Sequence, residues 1–286
     1  MSCITKLVCK VTLILVVVLS LQACTSMTSL MFWPLKSYPA DPSYFGLEFE
    51  VVEHQAADET QLVSWWLPAQ GRAKGSILVL HGNAQNISYH QMSVHWLVKA
   101  GYNVFLLGYR EYGQSQGEAI IPDIFMDVHA GLDWILDHQQ KAPVVILGQS
   151  MGASLSVYGL ASYPRKHLVD GVILDAAFSS YPDIAAQAMS RNWVSWIFQF
   201  PAYAITRDYD PIEWVHQLNV PLLMFHSPDD ETVPYDQGQK LFIAAPEPKQ
   251  WVSTHGKHIA TFSYPEWRDV TLKFLGNLPL KPVNTP

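Results

Sequence analysis

Five short runs in this chain are apolar at every position: Ile77–Leu80, Val104–Leu107, Val144–Leu147, Val172–Leu174 and Leu222–Phe225. A strand with one face in water alternates polar with apolar residues, whereas a strand covered on both faces reads as an unbroken apolar run. The intervals between the runs are long enough for right-handed crossovers, so the pattern predicts a mostly parallel sheet packed between layers of helix. Between the second and third runs, Phe125, Val128, Leu132 and Ile135 recur at three- and four-residue spacing behind Pro122 and Asp123, which suit a first helical turn. Regular structure is expected from about Gly46. There Leu47–Val52 and Leu62–Leu67 flank a polar turn with Asp58 and Glu59, which predicts an antiparallel pair at one sheet edge.

The run Val144–Leu147 leads directly into Gly148-Gln149-Ser150-Met151-Gly152 and then a helix-like segment. A serine between two glycines at a strand-to-helix turn is the nucleophile-elbow pattern, whose sharp bend presents the hydroxyl alone above the sheet. The glycines have a steric reason to be there, because a Cβ at 148 or 152 would collide with nearby backbone. Ser150 is the candidate nucleophile.

A serine hydroxyl needs an imidazole to take its proton and a carboxylate to fix that imidazole's tautomer. Both types occur downstream, in loops that follow strand-like segments. Asp229, Asp230 and Glu231 lie in the loop after Leu222–Phe225, and His255 and His258 lie beyond Gln250–Ser253. Upstream, Leu80-His81-Gly82-Asn83-Ala84 follows the first apolar run.

At these residues the chain resembles the α/β-hydrolase superfamily, in particular its membrane-associated branch with an H-G-N-A front motif. The resemblance spans about residues 46–278 and implies a mostly parallel central sheet, helices on both faces and a small helical cap. That family's acid loop is similar to His226-Ser227-Pro228-Asp229-Asp230-Glu231-Thr232-Val233-Pro234, which puts Asp230 in the acid position; its G-x-H motif puts His258 in the base position. His255 is the reserve base. The resemblance also implies an oxyanion hole made by the backbone N–H groups of Asn83 and Met151, and a shaping role for His81 without proton transfer. The stretch Gly108-Tyr109-Arg110-Glu111-Tyr112-Gly113 is similar to the family's D-Y-R-G-Y-G, departing from it at Gly108 and Glu111. The implied activity is that of a serine hydrolase on carboxylic esters or thioesters. A peptidase of the same architecture, or a catalytically silent envelope lipoprotein, is the alternative.

All three cysteines, Cys3, Cys9 and Cys24, fall in the first two dozen residues, so no disulfide is expected to staple the domain. Lys6 and Lys10 precede an apolar stretch from Val11 to Leu21, shorter than the ~20 residues a spanning helix needs but suited to a secretory signal. Leu21-Gln22-Ala23-Cys24 resembles the lipobox of bacterial lipoproteins. It implies a signal peptide at 1–23, acylation of Cys24, and an outer-membrane address facing the periplasm. The expected organisation is then a tether at 24–45, the α/β-hydrolase domain at 46–280 and a tail at 281–286. An aromatic-rich interval at 177–219, containing Trp193, Trp196, Phe198, Phe200, Tyr203, Tyr209 and Trp214, is expected to form the cap and line an apolar pocket. A net charge of -7, with 15% charged residues, lacks the basic footprint of a nucleic-acid binder. Neither a metal-ligand spacing nor a phosphate-cradling glycine loop occurs, so no cofactor is expected, and the partner would be a small-molecule or lipid ester.

Overall fold

In the computed structural model, which describes residues 27–138, 142–190 and 205–278, the apolar runs lie side by side in one eight-stranded sheet. The strands are β1 (Glu50–Gln55), β2 (Gln61–Leu67), β3 (Ser76–Leu80), β4 (Asn103–Leu106), β5 (Val144–Gln149), β6 (Gly171–Asp175), β7 (Leu222–His226) and β8 (Lys249–Ser253). Their order is β1-β2-β4-β3-β5-β6-β7-β8. β2 runs antiparallel to both β1 and β4, and every other neighbouring pair is parallel. This is the mostly parallel sheet with an antiparallel edge pair expected of the sequence. The first strand starts later than its apolar letters suggest, because Leu47 is buried ahead of the ladder, which begins at Glu50.

Alternate residues of the central strands enter separate cores. Leu78, Leu80, Ile146, Leu174 and Met224 face α3 (Ile124–His138) and α4 (Met151–Ala161) on one side of the sheet. Ile77, Val79, Leu147, Ile173 and Phe225 face α1 (Ile87–Val94), α2 (Trp96–Lys99) and α8 (Pro265–Gly276) on the other. Both faces are dry, so both parities must be apolar, and that is why these strands show no period of two. The helices α5 (Tyr181–Ser190), α6 (Pro211–Trp214) and α7 (Tyr235–Ala244) complete the eight among the described residues.

β4 and β5 lie on opposite sides of β3, so the chain changes direction across the sheet at that point. A crevice opens at the carboxyl ends of the strands where this happens. Leu80 pairs with Gly148, which brings the loop after β3 and the turn after β5 out of the sheet side by side.

Residues 27–45 do not behave as the tether expected for 24–45. They lie along the front loop and α1 as a strap. Trp33 and Pro34 pair in parallel with Ala84 and Gln85, Phe32 is buried, and the Asn86 amide donates to the carbonyls of Leu35 (2.7 Å) and Ser37 (2.8 Å). Further along, the side-chain amide of Gln91 donates to Ala40 O (3.0 Å), and the Ile121 N–H donates to Thr28 Oγ1 (3.1 Å). Polar side chains on the domain capture strap carbonyls, and apolar periodicity has no part in it. The expected signal peptide 1–23, Cys24 and the tail from 279 onward lie outside the described residues, as do five of the seven aromatics expected in the cap. Among the described residues, no helix is long and apolar enough to cross a membrane.

Candidate active site

The turn from β5 into α4 carries Ser150 at φ +55° and ψ -119°, a region in which L residues are strained. The neighbouring glycines make the turn possible, each against different backbone. A Cβ on Gly148 would stand 2.5 Å from Ala153 Cα across the bend, and one on Gly152 would stand 2.1 Å from Leu80 O on the adjacent strand. Gly148 therefore permits close packing of strand on helix, whereas Gly152 lets the helix start beside β3. The Ser150 N–H donates to Asp175 O (2.8 Å), and the residue is 7% exposed.

Asp230 and His258 reach this serine from loops after β7 and β8. His258 Nε2 lies 2.8 Å from Ser150 Oγ, and His258 Nδ1 lies 2.7 Å from Asp230 Oδ2. The other Asp230 oxygen accepts the N–H groups of Thr232 (2.7 Å) and Val233 (2.9 Å). Burial pushes the Asp230 carboxyl up, but the hydrogen bond and charge of His258 and the two backbone donors together hold it below the usual carboxylate range. An ionised carboxylate only accepts, so the Nδ1 proton points at Asp230 and Nε2 is left as the acceptor for the serine hydroxyl. The assembly is a hydroxyl, a base and an orienting acid in series.

The front loop closes the other side. A Cβ on Gly82 would lie 3.6 Å from Ser150 Cβ and 3.3 Å from the His90 ring, so His-Gly runs against the nucleophile. Asn83 is held at both its carbonyl and its side chain: its O accepts the Trp33 N–H (2.8 Å) and the Tyr112 hydroxyl, and its Nδ2 donates to Met31 O (3.2 Å). Met151 is the first residue of α4, where the N–H has no partner within the helix. His81 donates from Nδ1 to Gly82 O (2.7 Å) and packs against the rings of Tyr109 and Tyr112. Burial, with His90 adding to it, holds the His81 imidazole well below the ordinary range, so it is a neutral scaffold for the loop.

The rival residues lie elsewhere. Asp229 and Glu231 are exposed, and Asp229 Oδ2 accepts only a long bond from Gly256 N (3.4 Å). His255 faces Glu266 (3.7 Å) with half its side chain in solvent. The two described aromatics of the expected cap, Tyr209 and Trp214, pack on Tyr158 of α4 and against the core. The departures at 108 and 111 have local causes. A Cβ on Gly108 would meet Val63 O at 2.1 Å; Glu111 adopts φ +69°, and its carboxylate accepts the Ala119 N–H (2.9 Å). Two residues outside every motif, Asp175 and Thr261, meet behind the triad (2.7 Å). The available signal was a carboxylate closing an otherwise apolar parallel strand.

Comparison with known proteins places this geometry among relatives. The family model described as serine aminopeptidase, S33 (Hydrolase_4) matches residues 71–212. The chain is 30% identical over 247 residues to the YfhR protein of Salmonella typhi, covering 80% of this chain and 82% of that one. It is 28% identical over 246 residues to the lysophosphatidylserine lipase ABHD12 of Macaca fascicularis, covering 74% of this chain and 61% of the relative. Among solved structures, the Pyrococcus furiosus esterase Pf2001 superposes with a TM-score of 0.73 at 21% identity, covering 87% of this chain and 98% of the esterase.

Proposed function

This chain belongs to the α/β-hydrolase superfamily and is a hydrolase of that fold, and from that premise we propose that it cleaves carboxylic esters through an acyl-enzyme formed on Ser150. The observation that carries the reading is the continuous chain of contacts from Ser150 Oγ to His258 (2.8 Å) and from His258 to Asp230 (2.7 Å). In this mechanism His258 removes the Ser150 proton as the hydroxyl attacks the ester carbonyl. Asp230 holds the imidazole in the required tautomer and balances its positive charge. The oxyanion forms against the N–H groups of Met151 and Asn83, donors that are typically worth on the order of 3 kcal/mol each. His258 then protonates the departing alcohol, and water repeats the sequence to free the acid.

The nature of two relatives supports esters, one named as a lysophosphatidylserine lipase and one as an esterase. The name of the matching family favours a second reading, an aminopeptidase using the same triad. Turnover of p-nitrophenyl esters against aminoacyl-p-nitroanilides separates the two, and exclusive anilide cleavage would discard the ester reading. The catalytic assignment itself is tested with a fluorophosphonate probe. Wild type is expected to be labelled and Ser150→Ala not; labelling of both or of neither would overturn it.

The reading extends to location through the first residues of the chain. A signal at 1–23 and acylation of Cys24 would hold the 46–280 domain, with a cap within 177–219, on the periplasmic side of a bacterial outer membrane. Equal incorporation of a palmitate analogue by wild type and Cys24→Ala would end this part of the proposal.

A further inference from the structure

Behind the triad lies a second carboxylate that is hydrogen-bonded to neither Ser150 Oγ nor the His258 ring. Asp175 ends β6 and is 1% exposed. Its Oδ2 accepts the side-chain amide of Gln149 (2.9 Å), the residue immediately before the nucleophile. Its Oδ1 accepts the Thr261 hydroxyl (2.7 Å), three residues beyond the base. Its own carbonyl accepts the Ser150 N–H (2.8 Å). Gln149 in turn accepts at Oε1 from the Ser93 hydroxyl on α1 (2.6 Å).

We propose that Asp175 is a positioning residue whose carboxylate clamps the turn bearing Ser150 to the turn bearing His258 and so sets the distance between nucleophile and base. The proposal rests on the serine-hydrolase reading given above. The need for a clamp comes from the topology: β6 and β7 separate the nucleophile strand β5 from β8, so the base must reach back across the sheet from its far edge. Asp230 anchors His258 only to the β7 loop, whereas the Thr261–Asp175 bond carries its turn one strand closer, beside β5. The turn also contains Ile259 at φ +50°, a conformation that a β-branched residue holds only when its surroundings impose it. An error of ~1 Å between reacting groups costs on the order of a hundredfold in rate.

The clamp also has an electrical side. Burial raises the Asp175 carboxyl to about 6, while the Gln149 and Thr261 hydrogen bonds and the charge on His258 pull it down and Asp230 pushes it up. Replacing Asp175 loosens the hold on both turns, so the geometry slackens and the maximal rate falls.

The test follows the rate of fluorophosphonate labelling of Ser150 between about pH 5 and about pH 8, in the full chain, for wild type, Asp175→Asn, Thr261→Val and Thr261→Ser. Asp175→Asn and Thr261→Val are expected to slow labelling about tenfold or more, and Thr261→Ser, which keeps the hydroxyl, to remain within about twofold of wild type. Labelling of Thr261→Val at the wild-type rate, or an Asp175→Asn profile that overlays wild type, would overturn the clamp and leave the triad assignment standing. The near-isosteric pair at 261 decides the matter even if Asp175→Asn does not fold. A wild type that is not labelled removes the hydrolase reading and the clamp together.

Discussion

Ser150, the proposed nucleophile, sits at φ +55°, where a side chain costs about 1–3 kcal/mol relative to glycine. Ser150→Gly is therefore expected to stabilise the fold by about 1 kcal/mol in urea titrations while abolishing probe labelling. An unchanged or lower midpoint would mean that this backbone is not strained. Ser150 stood out by the glycines flanking it, whereas Asp230 and His258 were singled out from Asp229, Glu231 and His255 by the resemblance of their loops to family motifs, and the three side chains meet in the structure. Asp175 offered only a carboxylate at a strand end, and its Thr261 partner lies 86 residues away. No local pattern encodes a contact of that kind. Glu111 is a similar case, since a glycine-like conformation is held there by a side-chain bond to Ala119 N.

At the level of elements, strands buried on both faces were legible because burial leaves a mark on every letter of the run. The strap at 27–45 was not. Its docking depends on main-chain carbonyls, which every sequence possesses, meeting Asn83, Asn86 and Gln91 of the domain. Prolines and serines of a kind that also make flexible linkers disguised it. Asn86 is the centre of this attachment, donating to two strap carbonyls while its Oδ1 caps α1 at Ser88 N (3.0 Å). Asn86→Ala removes two part-buried hydrogen bonds to the strap and the cap of α1, and is expected to cost about 2 kcal/mol of stability in denaturant titrations. A loss below about 0.5 kcal/mol would mean that the strap is not coupled to the fold.

For the whole molecule, burial determines how stability varies with acidity. It lowers His54 to about 4 and also lowers His81, His90, His95, His129 and His226. Between their folded values and the ordinary imidazole value the unfolded chain takes up protons that the native chain refuses, so stability is complete above about pH 6.5 and is lost as pH falls. Burial acts in the opposite sense on Asp127, Asp175 and Asp210, each raised to about 6. The native chain keeps these protons after the unfolded chain has released them, so their effect is to reduce stability as pH rises from about 4 to about 6. Among the described residues, six such histidines outnumber three such carboxyls. The melting temperature is therefore expected to be lower at about pH 5 than at about pH 7, and the reverse order would show that the carboxyls dominate.

The strap also has a consequence in time. It is made before its partners, so Thr28 must wait for Ile121, made 93 residues later, and Trp33 for Asn83. Until then the strap carbonyls that will brace the front loop have nothing to hold. A nascent chain can thus contain the entire front motif while Thr28 still lacks the partner that ties down its end of the strap.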